Sequence, residues 1–131
     1  MNLAGSRGKA DNSPVVTKSY TCIDNVYLTG SQVGEEGFST PTDVSNYNWH
    51  SYQVMATGRG GESTGPSGIF KIQTTNGTAF GDHYTAQISN QAPQDNPSGL
   101  LYSDSWYFDK ARVSITGASG YWTIIEKHAA L

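Results

Sequence analysis

Alternating hydrophobic and polar residues predict β-strands along much of the chain. Between Trp49 and Thr57, the apolar residues Tyr52, Val54 and Ala56 share one side, while polar or flexible side chains take the other. Successive side chains of a strand point to opposite faces, so this period of two residues indicates a strand with one buried face. Segments 69–75 and 84–88 alternate in the same way. Segments 15–28, 106–116 and 121–127 are rich in β-branched and aromatic residues, which also favour strands.

Turn-forming residues separate these segments. The pair Asn76-Gly77 is the strongest hairpin signal, because both residues tolerate the positive φ of a two-residue turn. The run from Gly117 to Gly120 predicts a second hairpin loop, from which 121–127 returns as a strand. Glycines and prolines in 30–48, 58–66 and 90–99 predict irregular loops.

The order of these elements predicts an all-β fold. No segment has the i, i+3, i+4 apolar repeat of an amphipathic helix. About six to eight short strands separated by turns are typical of a single antiparallel β-sandwich or jelly-roll-like domain. Residues 1–17 lack a periodic apolar face and predict an extended N-terminal arm, whereas 18–131 form the predicted sandwich. The arm either frays or becomes ordered on a neighbouring subunit.

Sparse charge excludes several classes of function. Charged residues make up 15% of the chain, hydrophobic residues 36%, and the formal net charge is −3. A nucleic-acid binder needs a basic face, so nucleic acid is not an expected partner. No segment approaches the ~18 apolar residues of a membrane span, and no apolar signal segment is visible, so we expect folding in a cytoplasm. The single cysteine, Cys22, excludes an internal disulfide and suggests a small buried hydrophobe.

The three histidines do not have metal-binding spacing. His50, His83 and His128 form no HxH or HxxxH pair and have no cysteine pair nearby. The glycine-rich segment 58–61 lacks the lysine of a phosphate-binding loop. We therefore predict neither a metal nor another cofactor.

Candidate catalytic groups are equally unsupported. Asp82-His83 near Ser89 has no GxSxG motif to present a nucleophile. Asp104 and Asp109 are an odd number of residues apart, which on one strand places them on opposite faces. No catalytic residue is predicted, and we expect that the protein is not an enzyme.

Three stretches carry a resemblance to a known class of proteins. They are SYQVMATG (51–58), GIFKIQTTNGTAF (68–80) and WYFDKARVSITGASGYWTIIEK (106–127). In their order, turns and alternation they resemble small β-sandwich structural proteins of tailed-bacteriophage virions. The resemblance covers residues 49–131 and leaves the first 48 unexplained. It implies a virion component, either a capsid decoration (cement) protein or a tail- or fibre-associated module.

Surface character independently favours protein partners. Strand faces rich in Thr, Ser, Gln and Asn lose water more readily than charged faces, and interface centres are poor in charge and rich in aromatics. The predicted contacts are the arm residues and the aromatic residues that flank loops. These are Arg7, Lys9, Val15, Tyr47, Trp49 and Trp106.

Two functions are consistent with these features. The first is a non-enzymatic cement protein, a homo-oligomer such as a trimer, that bridges and stabilises neighbouring major capsid protein or other virion subunits. Its location would be the virion, assembled in the host cytoplasm. The alternative is a carbohydrate- or receptor-binding module of a phage tail or fibre, with a glycan bound by exposed aromatics in loops 30–48 and 90–99.

Overall fold

The computed structural model describes residues 16–28, 41–58, 66–89 and 98–131. Predictions that concern 1–15, including the contacts Arg7, Lys9 and Val15, lie outside the described residues. Within them the secondary structure is entirely β, which confirms the predicted fold class. In the same part of the chain, no helix is long and apolar enough to cross a membrane. The strands are β1 (Val16–Leu28), β2 (Thr42–Asp43), β3 (Trp49–Thr57), β4 (Ser67–Thr75), β5 (Gly81–Ser89), β6 (Ser98–Ser105) and β7 (Lys110–Ala130).

The strands form two antiparallel layers that share β7. In the first sheet, the C-terminal half of β7 lies between β1 and β3, and β6 pairs with the outer edge of β3. In the second sheet, the N-terminal half of β7 lies between β4 and β2, and β5 pairs with β4. Strand β1 begins at Val16, so the last two residues of the predicted arm belong to the first sheet.

The predicted hairpin at Gly117–Gly120 is wrong, because β7 runs without reversal from Lys110 to Ala130. Gly117 and Gly120 have φ values of 61° and 110°. Residues before them pair with β4, and residues after them pair with β1 and β3. Positive φ at a glycine bends a strand locally, and strands that switch sheets do so at such bends. The glycines therefore carry one strand from the second sheet into the first.

The Asn76-Gly77 signal was right about the hairpin and wrong about the turn. Strands β4 and β5 are antiparallel neighbours, as predicted. They are joined by residues 76–80, and neither Asn76 nor Gly77 has positive φ. Asn76 instead accepts a hydrogen bond of 3.0 Å at its Oδ1 from the backbone N–H of Asp109. The longer connection thus serves a tertiary contact rather than a two-residue turn.

The predicted long strand 106–116 is also only partly correct. Residues 98–105 form β6, of which 98–99 were predicted as loop and 100–105 were assigned to no element, and β7 begins four residues after Trp106, at Lys110. The strand predicted at 49–57 is confirmed with the same bounds, and its Tyr52, Val54 and Ala56 are buried.

One hydrophobic core fills the space between the inner faces of the two sheets. The largest apolar side chains in it come from both sheets and are fully buried: Trp122, Tyr52, Phe70, Ile72, Ile115 and Ile124. Burying a side chain of this size contributes roughly 1.5–3 kcal/mol, so this layer holds the sheets together. The outer faces are then left to interact with solvent or partners.

Candidate functional site

The outer face that β3, β6 and β7 form in the first sheet is almost free of charge. We call it the neutral face, defined as the odd-numbered residues of β3 from Trp49 to Thr57, of β6 from Gly99 to Ser105, and of β7 from Tyr121 to Ala129. These residues pair with one another across the strands and so point to the same side. Lys127 is the single charged residue among them. Such a face loses little hydration on docking to another polypeptide.

Large apolar side chains on the neutral face are open to solvent. Leu101 is 71% exposed, Trp49 is 38% exposed and Met55 is 37% exposed. They lie on β6 and β3, and Leu101 is close to Met55 because its register partner is Gln53. Contiguous exposed apolar groups of this kind mark interaction sites more often than isolated ones do.

The outer face of the second sheet is different, since it carries a polar network of its own. Lys71 Nζ lies 3.0 Å from Asp82 Oδ2, and Gln73 Nε2 donates to Asp82 Oδ1 at 2.9 Å. Arg112 Nε donates to Gln73 Oε1 at 2.9 Å. Hydrogen bonds from Gln73 and Lys71 lower the pKa of the Asp82 carboxyl. Charged groups already partnered in this way favour solvent over a protein interface.

The predicted aromatic contacts occupy three different environments. Trp49 lies on the neutral face, as a contact residue would. Tyr47 is half-buried, with its ring centroid 6.1 Å from that of His128. Trp106 is only 8% exposed, and its ring stacks on His50 with centroids 3.5 Å apart. Trp106 therefore supports the interior of the subunit, and its role as a contact remains a prediction.

A buried hydrogen-bonded cluster lies behind the neutral face, at the end of β3 where Trp49 lies. His50 Nε2 is 2.9 Å from the backbone oxygen of Trp106, and His50 Nδ1 is 2.8 Å from His128 Nδ1. His128 Nε2 is 2.6 Å from Glu126 Oε1. Both histidines and Glu126 are buried. We call these groups, with Cys22 and Thr42, the buried cluster.

The chemistry of the donors and acceptors fixes how many hydrogens the three bonds of the cluster hold, and the position of one of them. A carbonyl oxygen can only accept, so His50 Nε2 carries a hydrogen and donates to Trp106. The contact between the two Nδ1 atoms needs one hydrogen, supplied by either ring. The contact between His128 and Glu126 likewise needs one. Each of the three bonds thus holds one hydrogen, and the net charge of the two rings and the carboxyl together is zero.

The second oxygen of Glu126 is also occupied. It accepts from the Cys22 thiol at 2.8 Å and from the Thr42 hydroxyl at 3.3 Å. Cys22 is half-buried and therefore has a polar role that the prediction of a small hydrophobe missed. Burial, and then the nearby Glu126 carboxyl, raises the pKa of the thiol. The thiol is consequently a hydrogen-bond donor and a poor nucleophile.

Burial also sets the charge of His50 and of Tyr52, whose ring lies next to His128. It lowers the pKa of His50 to about 4, with the bond to the Trp106 carbonyl acting in the opposite direction. The Tyr52 hydroxyl is buried without a hydrogen-bond partner among the described residues, and desolvation followed by the Glu126 charge raises its pKa. A neutral His50 accepts at Nδ1, so His128 Nδ1 is the donor between the rings.

The sequence contained a signal for this cluster that spacing rules for metals do not detect. Glu126 and His128 continue the inward alternation of Trp122 and Ile124, and His50 continues that of Tyr52. Polar residues at inward positions must find partners inside the protein. Among the described residues, no group of three or more His, Cys, Asp or Glu has the arrangement of a metal site.

The other candidate groups are not hydrogen-bonded to the cluster. His83 is exposed on β5 and contacts the Tyr102 hydroxyl at 3.2 Å. Asp104 lies on β6, whereas Asp109 precedes β7 and donates its backbone N–H to the Thr75 carbonyl. The loops predicted to bind a glycan lie mostly outside the described residues, and that prediction stays untested.

Comparison with known proteins identifies a similar fold. No family model matches the sequence, and no curated protein matches it. The solved structure of the SPBc2 prophage-derived protein YomS is similar, with a TM-score of 0.55 and 8% identity over 90% of this chain and 96% of that one. The TNF protein Eiger from S. frugiperda aligns with a TM-score of 0.46 and 15% identity over 92% of this chain and 88% of that one. At such identity the likeness to YomS establishes a shared fold, and fold alone does not fix function.

Proposed function

We propose that this chain is a non-enzymatic structural subunit of a bacteriophage virion and docks other protein subunits through the neutral face. The observation that carries the proposal is the difference between the two outer faces. One has a single charged residue, Lys127, and exposed Trp49, Met55 and Leu101. The other carries the network of Lys71 and Asp82. A partner gains most by covering the face that is apolar and uncharged.

The size of the neutral face suits a modest interface repeated many times. Three strands spaced ~4.8 Å apart and up to nine residues long at ~3.3 Å each give a projected area of about 400 Å². A standard interface buries about 800 Å² on each partner, so a single contact of this kind would be weak. Many copies in one shell compensate for a weak single contact, since all must detach together for the shell to fail.

A bacteriophage source is supported by the fold shared with a prophage-derived protein, together with the sequence resemblance to virion sandwiches. Within that class we favour a capsid decoration protein that bridges major capsid protein subunits and itself forms homo-oligomers. The buried cluster supports a non-enzymatic role, because its groups are bonded to each other and its two histidines and Glu126 are buried.

The docking surface is tested with two lysine substitutions at exposed apolar positions. Leu101→Lys places a charge on the neutral face, and Ile69→Lys places one on the outer face of the second sheet, where the residue is 38% exposed. We expect Leu101→Lys to weaken assembly at least tenfold, about 1.4 kcal/mol, with Ile69→Lys near wild type. Solution mass and incorporation into particles are measured. Equal effects of the two variants would show that docking does not use the neutral face.

The cement role needs a separate measurement on assembled shells. Particles are made with and without this chain from the phage genome that encodes it, and their rupture is followed during heating. We expect shells without the chain to rupture at a lower temperature. Equal rupture temperatures would exclude the cement role, while leaving the result on the neutral face intact.

A further inference from the structure

The buried cluster contains a chain of three hydrogen bonds, and all three can form only when the two rings and the carboxyl together carry three hydrogens. It runs from the Trp106 carbonyl through His50 and His128 to Glu126, with separations of 2.9, 2.8 and 2.6 Å. Each link joins two heavy atoms and holds one hydrogen. One more hydrogen on the two rings leaves a link with two hydrogens facing each other. One fewer leaves two lone pairs facing each other.

We propose that this chain of bonds is an acid-sensitive latch, in which one added proton separates His50 from His128 and opens the end of the first sheet. At 2.8 Å the two Nδ1 atoms have no room for two N–H groups. Neither ring can turn away without cost. His50 is stacked on Trp106, and the ring of Tyr52 lies edge-on to His128 with centroids 5.8 Å apart. The rings must therefore move apart, together with the strands that carry them.

The rings lie where such a movement loosens the sheet. His50 and His128 are register partners on β3 and β7, next to the pair Trp49 and Ala129. The same end is closed by the Asn48 N–H, which donates to the Ala129 carbonyl at 3.0 Å. Separation of the rings strains these bonds first. Because Trp49 is on the neutral face, the movement also reaches the outer surface of the sheet.

The surroundings contain little to neutralise an added positive charge. The titratable groups that face the two rings come from β1, β3, β5, β6 and β7 and from the segment before β3. They are Lys18, Cys22, Tyr47, Tyr52, His83, Tyr102, Asp104 and Glu126. Only Glu126 and Asp104 are acids, and Glu126 already accepts from three groups. A proton placed on Glu126 Oε2 instead would leave a buried imidazolium on His128 with no counter-charge, which costs several kcal/mol in general.

The second sheet supplies an internal reference. Its inner positions along β4 and the facing part of β7 are Phe70, Ile72, Val113 and Ile115, with the uncharged Thr74 at the end. None of these titrates. Acid should therefore open the first sheet selectively, rather than unfold the domain as one unit.

Amide hydrogen exchange of the whole chain at pH 7.5 and 4.5 tests the latch, with rates corrected for the intrinsic effect of pH. We expect the protection of 49–53 and 124–129 to fall about tenfold or more at the lower pH, and by a larger factor than the protection of 69–74 and 111–115. Unchanged protection in the first sheet would overturn the proposal. So would an equal loss in both sheets, which indicates global acid unfolding.

Two matched histidine variants assign the effect to the cluster. His50→Gln keeps an N–H for the Trp106 carbonyl but cannot take up the proton, and His83→Gln removes an exposed histidine outside the chain of bonds. We expect His50→Gln to abolish the selective loss and His83→Gln to preserve it. A selective loss that persists in His50→Gln would refute the assignment.

Should His50→Gln fail to fold, the wild-type protein still decides the question. Ring-nitrogen NMR of histidine-labelled protein reports when the His50 and His128 pair takes up its proton. Under the proposal, that uptake coincides with the loss of protection in 49–53. Uptake of a proton with full protection retained would show that the cluster absorbs acid without opening.

Discussion

Replacing Gly120 by alanine is the most direct test of how β7 passes between the sheets. Gly120 has φ +110°, and a Cβ there would lie 2.5 Å from the Thr57 carbonyl oxygen and 3.0 Å from Pro66 Cβ. The first obstacle is backbone strain and the second is overlap with a neighbouring strand. Both arise from the crossing of one strand between two sheets.

The expected cost follows from adding these two effects. Holding a non-glycine residue in a sparsely populated backbone region costs about 1–3 kcal/mol. Overpacking against atoms that cannot move costs typically about 1–3 kcal/mol more. We therefore expect Gly120→Ala to lower the free energy of unfolding by about 2–6 kcal/mol, a large part of the ~5–15 kcal/mol that stabilises a typical domain.

Substitutions at two other glycines separate the cost of backbone strain from the cost of steric overlap. Gly117 has φ +61° and nothing within 4 Å of a built Cβ, so Gly117→Ala should cost only about 1–2 kcal/mol. Gly77 has neither a positive φ nor a contact within 4 Å, so Gly77→Ala should stay within about 0.5 kcal/mol of wild type. Urea unfolding followed by tryptophan fluorescence gives all three values. If Gly120→Ala costs no more than Gly117→Ala, a side chain at 120 does not overlap Thr57 and β7 does not cross between the sheets in this way.

Three further predictions concern stability. The pKa of His50 is 6.5 in the unfolded chain and about 4 in the folded protein, so protons favour the unfolded chain. The free energy of unfolding should therefore be at its full value above pH 6.5 and fall by about 3 kcal/mol toward pH 4. Urea titrations across this range that show no decline would contradict this prediction. Glu126→Gln keeps an acceptor for Cys22 and a donor for His128, so it should lower the free energy of unfolding by less than about 2 kcal/mol. Glu126→Ala keeps neither and should lower it by about 3–5 kcal/mol. Equal costs of the two variants in thermal unfolding would rule out this account. Gly68→Ala places a Cβ 2.9 Å from the buried Trp122 ring, so it should lower the free energy of unfolding by about 1–3 kcal/mol and change the tryptophan emission. An unchanged midpoint of unfolding would show that the core has room for this side chain.

The sequence by itself determined the strands whose patterns are local. The strand at Trp49–Thr57 was predicted with its bounds and its buried face, because alternation depends only on the geometry of an extended backbone. The hairpin between β4 and β5 followed for a similar reason, since an antiparallel neighbour needs only a short connection. The low charge of the neutral face was also visible, although not which side of the sheet would carry it.

Only the tertiary structure decided the path of β7. A run of glycine and small residues between two strand-like segments is equally compatible with a reversal and with a bend that continues into another sheet. The choice depends on which strands lie on either side: β4 before Gly117 and β1 and β3 after Gly120. Those partners are distant in sequence, so no local pattern contains the answer.

The buried cluster has the same origin. Alternation places His50, Glu126 and His128 on inward positions, but Cys22 and Glu126 are 104 residues apart and the two histidines 78 apart. Their contact requires β1, β3 and β7 to be neighbours in one sheet. The sequence therefore determined which side chains point inward. The packing of the strands determined which of them form hydrogen bonds with one another, because hydrogen bonds depend on distances that only the folded chain fixes.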